Sequence, residues 1–371
     1  MARIEQLSEA VAAPRAPADP WRITAIATEL AGCGYTLSAC AERLGVFPRL
    51  GVNFWPVLRK AWTPNADDAV DTLLELLMDG RAVAVDRLRR HVTAEFVDVL
   101  LATGLAEISG AEVRSQLCLF PIYGEYVVTD RAAKNTAINQ VMWLWGESYL
   151  LGGLVNRKAR RRGIDLGTGS GVHALLASGH CESVLGVDIS PRAVEFGRFN
   201  AALNGVRNAE FVLGDLFEGV DGTFDLVVAN SPYLPDRGAR AGGNFWTGGP
   251  AGTEILGQIV RALPERLDED GAAHIVALYP CGPGTAVKEL LSGWMNVGEW
   301  DVLDYTWAVP GFQDMLSAEP VAGDKRGWRF GVVSLRRARS NGWWKFMGGN
   351  GLFFSEDGSC AVTADHDLQR G

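Results

Sequence analysis

No stretch of this sequence approaches the roughly 20 apolar residues that a membrane-spanning helix needs, which excludes that class of protein at the outset. Six cysteines are scattered without a Cys-x-x-Cys pair, and the five histidines, His91, His173, His180, His274 and His366, form no cluster. Neither a zinc site nor a disulfide framework fits that pattern, so no metal is expected and a reducing cytoplasm is the expected location. His173 and His274 fall inside a predicted helix and strand and read as structural. Positive charge is also in short supply. A net charge of −9 and a pI near 5.2 would repel a polyphosphate rather than steer it in, so nucleic acid is disfavoured as a partner. The first twenty residues lack both a basic start and a continuous apolar run, and read as a disordered lead-in rather than a targeting signal.

What is present is enough apolar material for a proper core, 47% of 371 residues, in a chain too long for one typical domain. The expected division is a lead-in over 1–20, a mainly helical front domain over 21–130, an α/β domain over 131–340 and an aromatic extension over 341–371. In the front domain, Leu73, Leu74, Leu76 and Leu77 supply the apolar face of a helix from Ala69 to Met78, which Asp79-Gly80 ends. Shorter helices are predicted over Val83–His91 and Thr93–Thr103. A hairpin follows from Ala106 to Val128, with turns near Ser109-Gly110 and Pro121–Gly124. Three helices and a hairpin suggest a winged helix, yet the third helix carries Glu95 and Asp98 and no Lys or Arg. A DNA-reading helix needs the opposite chemistry. The basic run Arg157–Arg162 reads as a solvated connector, with a local anion contact as the alternative.

From Gly163 onward short apolar runs alternate with helical stretches, the pattern of a parallel sheet covered on both faces. Seven strands are predicted: Gly163–Leu166, Ser183–Val187, Glu210–Leu213, Phe224–Ala229, Ala272–Tyr279, Trp300–Trp307 and Trp328–Leu335. The fold class is therefore a doubly wound, Rossmann-like α/β sheet, with its ligand beyond the carboxyl ends of the strands where strand order reverses.

At the exit of the first strand stand Asp165, Gly167, Thr168, Gly169 and Gly171, with glycine at alternate positions. A dinucleotide fingerprint wants a further glycine or alanine at 172, where the chain has Val172, so NAD fits poorly. Asp188 lies seventeen residues beyond Gly171 at the end of the second strand, placed to accept bonds from ribose hydroxyls. Ser190 is a good N-cap for the next helix, Pro191 fits its first position, and Asn204-Gly205 closes it. Asp215 ends the third strand, next to Leu216. Three carboxylates at three successive strand ends suit a cationic sulfonium cofactor better than a pyrophosphate. Over residues 130–336 these elements resemble class I methyltransferases dependent on S-adenosylmethionine (SAM). The resemblance implies that Asp165 and the glycine loop with Thr168 line the methionine portion. It places Asp188 with Ile189 at the ribose, Asp215 with Leu216 at the adenine, and Asn230 close by.

After the fourth strand comes Asn230-Ser231-Pro232-Tyr233, which resembles the Asn-Pro-Pro-Tyr motif of enzymes that methylate planar nitrogens, among them release-factor glutamine methyltransferases and adenine or guanine methyltransferases. A planar nitrogen has its lone pair delocalised, so its site must hold the N–H groups with acceptors and stack the plane; transfer then rests on positioning and electrostatics. In that reading the Asn230 side-chain oxygen and the Ser231 carbonyl accept from the target nitrogen, and Tyr233 packs on its plane. Ser231 departs from the usual proline but keeps the carbonyl. Gly248–Glu254 resembles the glycine-rich stretch that follows the motif in the glutamine methyltransferases. The order of a winged-helix-like front and a small methyltransferase domain also resembles a family of actinobacterial proteins.

The substrate stays open among three classes. Glu147, Tyr149 and Glu254, taken with the acidic balance, favour a small guanidine such as L-arginine in specialised metabolite biosynthesis, because a carboxylate pairs bidentately with a guanidinium. A protein glutamine is the alternative, then a nucleobase. A non-enzymatic SAM-binding DNA regulator is the reading from another class. Trp143 and Trp145 read as core or interface residues. The tail Trp343-Trp344-Lys345-Phe346 is a candidate for a pocket cap, a domain contact or a homodimer contact.

Overall fold

The computed structural model describes residues 12–15, 20–45, 62–131, 139–236, 247–281, 287–307, 327–337, 343–348, 352–354, 360–362 and 369–370, the last four as backbone only. Most of the lead-in, His366 and the end of the Trp343–Gly349 tail lie outside them.

The front of the chain opens with α1 (Pro20–Gly32), α2 (Leu37–Arg43) and α3 (Ala69–Leu73), which runs on as a π-helical turn to Asp79 and stops at Gly80, φ +78°. The sequence places a helix over Val83–His91. The chain instead forms a two-residue strand, β1 (Val83–Ala84), and only then α4 (Val85–Leu88), because the buried Val83 pairs with Val113 across a sheet. α5 (Ala94–Ala102) starts where expected, with the Thr93 hydroxyl accepting from the Phe96 N–H. The single hairpin predicted over 106–128 is two. β2 (Ala106–Ser109) pairs with β3 (Glu112–Ser115), and β4 (Cys118–Ile122) pairs with β5 (Glu125–Thr129). Buried Ser115 divides them by giving its hydroxyl to the carbonyls of Leu105 and Leu117.

Then come α6 (Gly146–Leu154), β6 (Arg160–Leu166), α7 (Val172–Ser178), β7 (Cys181–Asp188), α8 (Pro191–Leu203), β8 (Ala209–Leu213) and β9 (Phe224–Ala229). They are followed by α9 (Glu254–Arg266), β10 (Leu267–Cys281), α10 (Val287–Ser292), β11 (Trp300–Trp307) and β12 (Gly327–Arg337). All seven predicted strands form, in the order β8-β7-β6-β9-β10-β12-β11; the first five are parallel and β12 runs antiparallel between β10 and β11. Order reverses between β6 and β9, and their carboxyl ends mark the switch point. The aromatic tail supplies β13 (Trp343–Gly348), a parallel neighbour of β11 on the side of the sheet away from β8. Beyond it, β14 (Leu352–Phe354) and β15 (Cys360–Val362) pair with each other and β16 (Gln369–Arg370) pairs with β13. Apolar residues of the two sheet faces form separate clusters, one continuous with the front elements and the other under α9 and α10.

The front elements are joined to the sheet by side chains that imitate a strand. On α8 the Asn200 amide accepts from Val128 N–H at 2.8 Å and donates to Val128 O at 2.9 Å, and Asn204, one turn on, does the same for Tyr126 at 2.8 and 2.7 Å. The buried edge of β5 is thereby satisfied without a further strand. Asn200 also donates to Ser170 O in the glycine loop at 2.8 Å, so the hairpin and that loop share one side chain. Within the basic run Arg157 and Arg160 are half-buried and bonded to the fold, while Lys158, Arg161 and Arg162 are exposed, as a solvated connector would be. Arg157 caps α6 and α7 through Gly152 O and Leu176 O, Arg160 donates to Asp225 O, and Arg161 pairs with Asp268. Among the described residues no helix is long and apolar enough to cross a membrane.

Candidate active site

A cavity of about 250 Å³ opens at the switch point. Its walls include Gly167, Thr168 and Gly169 after β6, Asp188 and Ile189 after β7, Asp215 and Leu216 after β8, Asn230, Ser231 and Pro232 after β9, and the segment 139–144. Of the residues singled out in the sequence, these come together.

The loop after β6 is fixed by its neighbours. Gly167 and Thr168 N–H groups both donate to Val187 O, and Asp188 accepts from Gly169 N–H and Ser190 N–H, each at 2.9 Å. Gly171 holds φ +82°, and a Cβ there would lie 2.8 Å from the Phe211 ring and 2.9 Å from Gly197 Cα, so only glycine lets α7 start this close to α8. Asp165 is almost fully buried. Its Oδ2 accepts from the Thr168 hydroxyl at 2.6 Å and Ala174 N–H at 3.0 Å, while its Oδ1 has no partner. Burial pushes its carboxyl up to about 7, against the hydrogen bonds that favour ionisation. Asp188 is likewise raised by burial. Asp165 and Gly171 thus stand behind the cavity wall, one bonded to Thr168 and the other packing the helix.

The segment Asn230–Tyr233 is braced from two sides. From α6, the Ser148 hydroxyl accepts from the Asn230 Nδ2 at 3.4 Å, and Glu147 accepts from the Tyr233 hydroxyl at 3.3 Å. From the other side, Leu234 bridges to Thr247, Gly248 N–H donates to Leu234 O, and Asp236 N–H donates to Gly249 O. A Cβ on Gly252, whose φ is +80°, would fall 2.6 Å from Tyr233 O. Gly252→Ala is therefore expected to displace the motif and lower kcat by roughly tenfold or more while SAM affinity holds. Steady-state rates with calorimetry check this, and an unchanged kcat would remove the glycine from the brace.

Three substrate assignments change. Glu147, 2% exposed, faces Tyr233 and does not line the cavity. Tyr149 is buried, turns its hydroxyl to Pro121 O, and its carbonyl accepts from Tyr123. Glu254 accepts from Ala251 and Thr253 N–H groups at 2.9 and 3.0 Å, folding the glycine-rich turn onto the start of α9. Each carboxylate has a local occupation that its sequence neighbours do not reveal. Tyr233 lies beside the wall rather than in it, with its ring 5.1 Å from that of Phe330. Ser148 also lines the cavity and was missed, because a serine inside an apolar helical run carries no signal of its own.

A family described as Methyltransferase domain matches residues 158–265. The chain is 36% identical over 132 residues to a protein of Methanocaldococcus jannaschii named as a protein N5-glutamine methyltransferase, covering 34% of this chain and 66% of that one. It is 42% identical over 83 residues to the release factor glutamine methyltransferase of Deinococcus radiodurans, covering 22% and 30%. The chain thus spans less than two thirds of the length of either. To a ribosomal protein L11 methyltransferase of Exiguobacterium it is 30% identical over 243 residues, covering 58% of this chain and 74% of the relative. The chain belongs to the class I SAM-dependent methyltransferases.

The cavity of this methyltransferase suits that cofactor on its own geometry. Behind its wall is a buried carboxylate with an orphaned oxygen, and at its mouth Ile189 stands 54% exposed, an apolar surface that an adenine ring would cover. Asp188, held by backbone N–H groups at the end of β7, lines the same cavity.

Proposed function

We propose that this methyltransferase modifies the side-chain amide nitrogen of a glutamine in a protein. The observation that carries the proposal is the position of Asn230-Ser231-Pro232 in the wall of the same cavity as Gly167–Gly169 and Asp188, with no spare carboxylate beside it among the described residues. Among the described residues, the acidic ones that line the cavity are Asp188 and Asp215, both at the strand ends beside the glycine loop. Glu147 and Glu254, on which guanidinium recognition stood, are occupied elsewhere. A neutral planar nitrogen needs acceptors, not a counter-charge, and Asn230 and the Ser231 carbonyl are acceptors. The names of the two glutamine methyltransferase relatives point the same way, so arginine yields first place to glutamine.

Bound SAM supplies a methyl group on a cationic sulfur. Asn230 Oδ1 and Ser231 O hold the amide hydrogens so that the nitrogen lone pair faces the methyl, and Tyr233 supports the loop that carries them. We read the front of the chain, residues 21–130, as winged-helix-like, a reading supported by the order α3, β1, α4, α5, β2, β3 among the described residues. We assign it a substrate-covering role, because α5 buries Phe96, Val97, Val99 and Leu100 and carries Glu95 and Asp98 but no base.

A transfer assay with labelled SAM tests the proposal against a release factor, free arginine and structured RNA, with the product mapped by mass. One methyl on a glutamine side chain is the expected result. Transfer confined to arginine or RNA overturns it.

A further inference from the structure

The first turn of α6 brings three consecutive side chains to three different places: Glu147 to Tyr233, Ser148 to Asn230, and Tyr149 to Pro121 in β4. We infer that Glu147 and Ser148 are positioning residues for the reaction motif, Ser148 turning the Asn230 amide so that its oxygen faces the acceptor, and Glu147 fixing the Tyr233 ring through its hydroxyl. This rests on the reading of Asn230 and Tyr233 as the reaction site.

The orientation matters because an asparagine side chain is nearly symmetric in shape and opposite in function at its two ends. If the Nδ2 faced the acceptor amide, two donors would meet and the target N–H would go unpaired. Ser148 Oγ takes an Nδ2 hydrogen, and the Oδ1 is left for the substrate. Glu147 acts on the other arm of the motif. Its carboxyl is buried and pushed up to about 7, with Tyr233 the titratable side chain bonded to it. Of the elements packed on α6, α7 carries His173, which burial lowers to about 3. β10 carries His274, lowered to about 4, and Tyr279, whose hydroxyl is given to Asp304. The three carboxylates of β10, Asp268, Glu269 and Asp270, precede His274 in the strand, and Asp268 pairs with Arg161. None of these acts on Glu147: burial raises its carboxyl, and hydrogen bonds from its own backbone N–H and from the Tyr233 hydroxyl pull it back. Ionised Glu147 holds a phenol hydroxyl more firmly than the neutral acid does, so the brace tightens as pH rises through 7.

The test is the rate of methyl transfer at saturating SAM, with SAM affinity measured separately by calorimetry. Ser148→Ala is expected to lower kcat roughly tenfold, with the acceptor KM and SAM Kd within about twofold, and Ser148→Thr to recover most of the rate. The kcat of the unmodified enzyme is expected to rise by a few-fold around pH 7. Glu147→Gln, which still accepts from Tyr233 but cannot ionise, is expected to stay near the parent's low-pH rate across the range and lose that step. An unchanged kcat in Ser148→Ala together with an unchanged pH profile in Glu147→Gln overturns the inference. So does SAM affinity falling in proportion to kcat, which would make α6 a cofactor support. If the enzyme methylates an acceptor other than glutamine, the substrate proposal fails and the same variants are measured on that acceptor. Isotope-edited infrared spectroscopy reads the brace with no acceptor at all: a Glu147 carboxyl titrating near 7 should shift in Tyr233→Phe, and no shift means no bond.

Discussion

Asn230→Ala is expected to lower kcat by roughly a hundredfold or more while SAM affinity stays within about threefold. Methylation of an amide nitrogen is slow because the lone pair is shared with the carbonyl, so catalysis depends on donors and acceptors that hold the nitrogen in line with the methyl. Asn230 offers its acceptor from the end of β9, a rigid buried strand, and its amide is steadied by Ser148. Removing the acceptor leaves a target N–H unpaired at the moment when the nitrogen gains positive character, and that penalty falls on turnover rather than on ground-state binding. The cofactor side loses little, since the contacts offered by Gly169, Asp188, Ile189 and Asp215 are untouched. Asn230→Asp keeps an acceptor of the same shape but surrenders the hydrogen given to Ser148, and should fall between the two. Single-turnover rates with calorimetric SAM titration separate the cases. A Kd weakened as much as kcat would place Asn230 in cofactor binding and remove it from the reaction.

The parts of the molecule that were legible in the sequence share a cause. The inner stretches of β6, β7, β9 and β10, over 163–166, 184–187, 226–229 and 272–279, are largely buried and so appear as short, mainly apolar runs. The loop at Gly167–Gly171 needs backbone that only glycine supplies, and Ser190, Pro191 and Gly205 mark the ends of α8 by local chemistry. What was not legible depends on partners far along the chain. Val83 became a strand because Val113 was there to pair with it, and Asn200 and Asn204 serve the edge of β5 more than seventy positions away. Glu147 looked like a receptor for a cation because its sequence neighbours are aromatic and the chain is acidic, yet the acidity is spread over the whole chain and the carboxylate is committed to Tyr233. Net charge describes long-range steering and does not identify what one buried carboxylate binds.

Asp165 yields the other large effect, and its sign is fixed by burial. Its folded carboxyl sits at about 7, against an ordinary value of 3.8, so the folded chain holds a proton that the unfolded chain has already released. Stability therefore declines as pH rises from about 4 to 7, and above 7 the ionised, buried carboxylate carries a penalty on the order of 4 kcal/mol. A cation in the adjacent cavity reverses this, because attraction to the ionised Asp165 offsets the desolvation that raised it. SAM is expected to bind roughly tenfold more tightly at pH 8 than at pH 6, and to raise the melting temperature more at pH 8. Asp165→Asn should separate the two effects. Its carbonyl still accepts from Thr168 and Ala174, so the ligand-free protein is expected to be at least as stable as the parent at pH 8. SAM affinity should fall by roughly tenfold or more and lose most of its pH dependence. Thermal melts with and without SAM, run across pH 5 to 8 on both proteins, decide the matter. If the variant binds SAM as tightly as the parent at pH 8, the buried carboxylate does not serve the cofactor, and its place in the fold is explained by Thr168 and Ala174 alone.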